Sequence, residues 1–296
     1  MGNEKHFDVD RLKAIDVHVH IEHEGKGTET DQAAKEYFGG AAARGRKEMA
    51  EYYRSRNIGC VVFTVDERLT GRPVVPNDDV IEFAAQNADI MMPFASVDPT
   101  RGPEAISEAK RLIATGLLRG FKLHPPLQQF FPNDRVAYPL YKVIEEAGLP
   151  VVFHTGHSGI GTGMPGGGGI RLKYGNPMYI DDVAVDFPGM TIIMAHPSFP
   201  WQDEAISVCL HKRQVYIDLS GWSPKYFAPN LIQYANSLLK TKMLFGSDYP
   251  LITPERWMAD FEKAPFKDEV RPLILKENAM KLFGLTSKTA APSARD

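Results

Sequence analysis

Cysteine is almost missing from this 296-residue chain: Cys60 and Cys209 are the only two, each inside an apolar segment. That excludes a disulfide framework and leaves two buried free thiols, as expected in a reducing cytoplasm. Long hydrophobic runs are missing too. No stretch approaches the roughly 18 apolar residues of a membrane span. The polar opening, residues 1–11, lacks the apolar region of a secretory leader. Met1-Gly2 would suit myristoylation, but the sixth residue is His6 rather than Ser or Thr. Neither charge sign dominates, with 34 Lys plus Arg against 37 Asp plus Glu and a formal net charge of −3. Nothing in that balance favours nucleic acid or an anionic membrane as partner. Residues 286–296 are small and polar, and a disordered tail is expected there.

What is present suffices for a large core. Hydrophobic residues make up 43% and charged residues 24%, close to the globular average. Residues 1–285 are read as a single domain. Short apolar runs at 14–20, 59–65, 90–97, 119–124, 150–155, 190–195, 215–219 and 242–246 alternate with helix-forming segments. Continuous apolar strands separated by helices mean parallel strands joined by right-handed crossovers. About eight such units imply an α/β fold closed as a (β/α)8 TIM barrel. A doubly wound open sheet is the alternative. Residues 21–40 show no period and read as a long loop, a candidate lid. Helices are expected at 41–57, 77–87, 201–211 and 268–283.

In a parallel barrel, chemistry collects where strands end. The first run, Ala14-Ile15-Asp16-Val17-His18-Val19-His20, places Asp16, His18 and His20 on one face by the period of two. The fourth ends in Lys122 and His124, the fifth in His154 and His157, the sixth in His196, the seventh in Asp218-Leu219-Ser220, and the eighth in Ser247-Asp248. Buried polar groups without partners are costly, so this recurrence calls for a common site. His18, His20, His154 and Asp248 form a coherent set for one divalent metal, zinc first, with manganese or iron as alternatives. Such a metal makes hydroxide available from water at neutral pH. His196 is the expected acid–base catalyst. Asp16 is expected to hold an imidazole by its other nitrogen. Lys122 has three readings: a carbamate bridging two metals, an ammonium binding substrate, or a partner for a nearby acid. His124 is either a substrate contact or a structural one.

The ordered motifs Asp16-Val-His18-Val-His20, Gly120-Phe-Lys122-Leu-His124-Pro125, Val152-Phe-His154-Thr-Gly156, Ala195-His196-Pro197 and Gly246-Ser-Asp248-Tyr-Pro250 resemble the amidohydrolase superfamily. More narrowly, they resemble its amidohydrolase-related branch, which includes aminocarboxymuconate-semialdehyde decarboxylase. The resemblance spans residues 15–285. It implies a barrel of the metal-dependent hydrolase type, with His18, His20, His154 and Asp248 as ligands, Asp248 also in catalysis, and His196 as the catalytic histidine. Members of this branch hydrolyse C–N, C–O or C–C bonds or decarboxylate acids, so the fold leaves the reaction open.

The glycine-rich stretch 156–174 is unusually long. It is similar to that of bacterial β-ketoacyl-CoA hydrolases of hydroxycinnamate breakdown. Arg171 and Lys173 with open backbone N–H groups would suit an anion, with a surface flap as the alternative, and His157 is a candidate substrate contact. Trp201 and Trp222, with Phe199 and Tyr226, could wall an aromatic substrate or simply pack the rim. The expectation is therefore a metal-dependent hydrolase attacking a carbonyl of a small aromatic or unsaturated acid derivative. A non-oxidative decarboxylase is the alternative, and a binding barrel without activity the third reading. Oligomeric state is left open, a homo-oligomer included.

Overall fold

The computed structural model describes residues 7–23, 28–39 and 45–287. The tail expected at 286–296 lies mostly outside these, as does the Met1-Gly2 start. Among the described residues no helix is long and apolar enough to cross a membrane.

Eight parallel strands follow one another in sequence order around a single sheet. They are β1 (Ala14–His20), β2 (Ile58–Phe63), β3 (Met91–Ala95), β4 (Gly120–Leu123), β5 (Val151–His154), β6 (Ile192–Ala195), β7 (Val215–Asp218) and β8 (Met243–Leu244). Every strand is buried along essentially its whole length, as the continuous apolar runs require. The barrel closes where Val17 N–H donates to Phe245 O at 2.9 Å, His20 N–H to Tyr249 O at 2.9 Å and Asp248 N–H to His18 O at 3.0 Å. The open-sheet alternative is thereby excluded. Between Asp16 and Val19 the pairing of β1 with β2 slips. Such an irregularity re-aims the side chains beside it.

Helices cover the outside: α1 (Glu29–Phe38), α2 (Arg46–Ser55), α3 (Asn77–Gln86), α4 (Pro103–Ala114), α5 (Pro125–Gln128), α6 (Tyr138–Glu146), α7 (Met178–Asp186), α8 (Gln202–His211), α9 (Pro229–Ala235), α10 (Pro254–Lys263) and α11 (Asn278–Leu282). Proline opens several of them, where its missing N–H costs nothing.

One sequence expectation is corrected. The described part of the 21–40 segment is largely helix α1, started by a reciprocal capping box between Thr28 and Asp31 and stopped by Gly39 at φ +59°. The helix expected at 268–283 forms over residues 271–282, with a π-helical turn, Leu273–Glu277, running directly into α11.

Candidate metal centre

The strand ends converge on one buried cluster. His18, on β1, is fully buried, and its Nδ1 lies 2.9 Å from Asp218 Oδ2 at the end of β7. Asp218 is held ionised. Burial alone would raise its carboxyl, but the field and hydrogen bond of His18 outweigh that and hold it well below the ordinary range. A carboxylate only accepts, so the His18 proton sits on Nδ1 and Nε2 keeps a lone pair. Burial, reinforced by Lys122, lowers the His18 pKa to about 3 and keeps the ring neutral.

That Nε2 atom lies 3.3 Å from Asp248 Oδ1, and His20 Nε2 is 3.2 Å from the same oxygen. Two ligands about 2.1 Å from one metal ion stand roughly 3 to 3.4 Å apart, and Asp248 Oδ1 has that spacing from each of the two imidazole nitrogens. The donor atoms of His18, His196 and Asp248 all lie within 4.8 Å of one another. His154, at the end of β5, joins through His196, with His154 Nδ1 at 3.1 Å from His196 Nε2. Its other nitrogen, Nε2, is buried without a partner, which is the state of a ligand atom awaiting its ion. The residues therefore fit a divalent metal. Burial would raise the Asp248 carboxyl, but the hydrogen bond from His20 and the fields of His18 and His196 hold it well below its usual range.

Two of these residues sit on strained backbone. His196 has φ +74° and Asp248 φ +71°, the left-handed region that non-glycine residues rarely occupy. Such strain gathers at functional sites. Gly221 makes room for His196: a Cβ there would stand 2.5 Å from His196 Nδ1.

A cavity of about 400 Å³ opens above the cluster and is lined by His20, His124, His154, His196 and Asp248. The loop after β5 adds His157, Ser158 and Ile160, and the segment after β7 adds Trp222 and Tyr226. Helix α1 contributes Ala34 and Tyr37 to the wall. His124 stacks on His154, with ring centroids 3.9 Å apart. Its Nδ1 accepts from Leu127 N–H at 3.3 Å, so its own proton is on Nε2. Its backbone N–H donates to Gln128 Oε1, and Gln128 Nε2 donates to Asp66 O.

Of the expected substrate contacts, His124, His157 and Trp222 line the cavity, whereas Lys122, Arg171 and Trp201 do not. Lys122 is fully buried beside the cluster, with Nζ 3.2 Å from His18 Nε2, and burial lowers its pKa to about 8. Arg171 is exposed, and Lys173 lies over the rings of Phe131 and Tyr174. Asp16 does not hold an imidazole. It accepts from His18 N–H, from Ser247 N–H and Oγ–H, and from Tyr53 O–H. The orienting role belongs to Asp218, which sequence reasoning left without one. Its signal was present: Asp218 and Ser220 alternate at a strand end just as His18 and His20 do.

A parallel eight-stranded barrel with histidines and an aspartate gathered at its strand ends defines a metal-dependent enzyme scaffold. The family profile described as amidohydrolase matches residues 15–285, and the chain belongs to that family. No curated protein matches it. It is similar in fold to an uncharacterised TIM-barrel protein from Bordetella bronchiseptica, at 26% identity, 93% coverage of this chain, 99% of that one and a TM-score of 0.76. It also resembles 5-carboxyvanillate decarboxylase from Sphingomonas paucimobilis, at 14% identity, 93% and 100% coverage and a TM-score of 0.66. A third is a dihydroxybenzoic acid decarboxylase from Polaromonas sp. with bound manganese and 2-nitroresorcinol, at 14% identity, 93% and 97% coverage and a TM-score of 0.63.

Proposed function

We propose that the protein is a metal-dependent carboxy-lyase that removes CO2 from a small aromatic or unsaturated carboxylic acid. The observation that carries the metal-dependent part is Asp248 Oδ1 at 3.3 Å from His18 Nε2 and 3.2 Å from His20 Nε2, beneath a cavity sized for one small molecule. His18, His20, His154 and Asp248 would hold one divalent ion, zinc or manganese, which when bound supplies a Lewis-acid contact for oxygens of the substrate.

The chain's own groups do the rest. His124 offers Nε2–H to a substrate oxygen. Trp222, Leu127 and Ile160 flank the organic part and keep water away from it. His196, which lines the cavity, would give the proton that the substrate carbon takes and recover one from solvent. The bond between the carboxyl carbon and the substrate carbon breaks, its electron pair stays on the substrate carbon, and that carbon takes one proton. Exclusion of water helps a carboxylate leave as neutral CO2. Support for lyase chemistry comes from the decarboxylases among the similar structures.

The test is to incubate the zinc- or manganese-loaded protein with hydroxybenzoates, 5-carboxyvanillate, muconate-type acids and acyl-CoA thioesters in ¹⁸O-labelled D2O. The expected products are CO2 and a substrate carbon bearing one deuteron. A product acid carrying solvent ¹⁸O would instead identify a hydrolase.

A further inference from the structure

Ser220 is not a cavity-lining residue, yet it is tied to the centre on several sides. Its N–H donates to Asp218 Oδ1 at 2.9 Å, and its Oγ lies 2.9 Å from His196 Nδ1. It has little room to move: a Cβ at Gly246 would come within 2.8 Å of Ser220 Cβ, and one at Gly221 within 2.5 Å of His196 Nδ1. Beyond it runs a continuous chain, Ser220 Oγ to His196 Nδ1, His196 Nε2 to His154 Nδ1 at 3.1 Å, and then His154 Nε2, buried and unpartnered.

A neutral imidazole carries one proton, so this chain has two arrangements. In the first, His196 Nδ1–H donates to Ser220 Oγ. His196 Nε2 then accepts from His154 Nδ1–H, and His154 Nε2 keeps its lone pair. In the second, Ser220 O–H donates to His196 Nδ1, His196 Nε2–H donates to His154 Nδ1, and His154 Nε2 carries a proton that meets no acceptor. Both leave His154 Nε2 without a protein partner, but only the first leaves it a lone pair with which to serve as a ligand.

We propose that Ser220 is a positioning residue which, by accepting from His196, sets the lone pair of His154 two side chains away. His196 is then a relay whose proton position reports on Ser220. The proposal rests on the reading of His154 as a metal donor, and the test separates the two.

Metal-free protein labelled with ¹⁵N-histidine is recorded by two-bond ¹H–¹⁵N correlation. In the wild type, His154 and His196 should both be Nδ1–H tautomers. Ser220→Ala should shift or mix both signals, and Ser220→Thr should preserve them. Zinc affinity, read by chelator competition, should fall about 10- to 100-fold in Ser220→Ala, the usual loss when an outer partner of a ligand is removed. It should recover in Ser220→Thr. In a His196→Ala background, Ser220→Ala should add nothing, because the effect runs through that ring.

A wild-type His154 protonated on Nε2 overturns the proposal without any variant. So do unchanged spectra in Ser220→Ala, or an equal affinity loss in both backgrounds. If the wild type binds no zinc or manganese, the metal reading fails, and the metal-free spectra still decide the role of Ser220.

Discussion

Asp218→Asn removes a charge from the middle of the site while leaving its volume almost unchanged. The wild-type carboxylate accepts from His18 Nδ1 at 2.9 Å, from Ser220 N–H at 2.9 Å and from His196 N–H at 3.5 Å, all out of contact with water. An amide has one oxygen. If that oxygen stays with the two backbone donors, the NH2 group faces the His18 Nδ1 proton. His18 can relieve the clash only by moving its proton to Nε2, the atom 3.3 Å from Asp248 and 3.2 Å from Lys122. Two losses follow. A hydrogen bond to a charged group contributes about 1.5–3 kcal/mol, so the urea midpoint should fall by that much stability. The lone pair that faces Asp248 also disappears, so metal affinity should fall at least about tenfold, or ~1.4 kcal/mol. Urea titration of the metal-free protein reads the first loss, and chelator competition with zinc reads the second. Asp218→Asn that keeps both stability and zinc affinity would refute the tautomer argument for His18.

Other outcomes follow from the same geometry. Gly221→Ala puts a methyl 2.5 Å from His196 Nδ1 at a φ of +73°, and should cost about 1–3 kcal/mol in denaturation midpoint and most of the turnover; normal turnover would contradict the placement of His196. The His18 pKa is lowered from 6.5 to about 3. The unfolded chain therefore binds the proton that the folded chain excludes, and metal-free protein should lose stability as pH falls from about 6.5 towards 3, by up to ~1.4 kcal/mol per pH unit for such a group. His18→Gln should flatten that slope in pH-dependent urea curves, and an unchanged slope would speak against a neutral His18. Arg72, in the loop after β2, pairs with the capping residue Asp31 of α1 at 2.5 Å. Arg72→Ala should change global stability by no more than about 1 kcal/mol, but speed hydrogen exchange across residues 29–38; unchanged exchange would mean that α1 is held by other contacts.

The barrel was legible because most of its strands lie in short apolar runs, buried on both faces, and such runs have few other uses. The strand-end histidines were legible because polar groups at those positions need a common partner. Long-range pairing was not legible. Asp218 meets His18 across 200 residues of sequence, and Lys122 meets the same ring across 104; no local period encodes either. Asp16 was misread for a related reason. Its carboxylate meets Ser247, 231 residues away, and Tyr53 instead of an imidazole. Helix α1 was missed although Thr28 and Asp31 spell a capping box, because the helix packs few apolar residues and its signal lies in its ends. The contribution of Trp222 but not Trp201 to the cavity depends on how each loop turns after its strand, which spacing alone leaves open.

The most direct measurement is metal content paired with turnover. Protein purified without chelators should carry about one divalent ion per chain, by the single-site donor set. CO2 release should vanish on chelation and return with added zinc or manganese, and Asp248→Ala should retain neither ion nor activity. Full turnover by metal-free wild type, or by Asp248→Ala, would contradict a metal-dependent reaction at this centre.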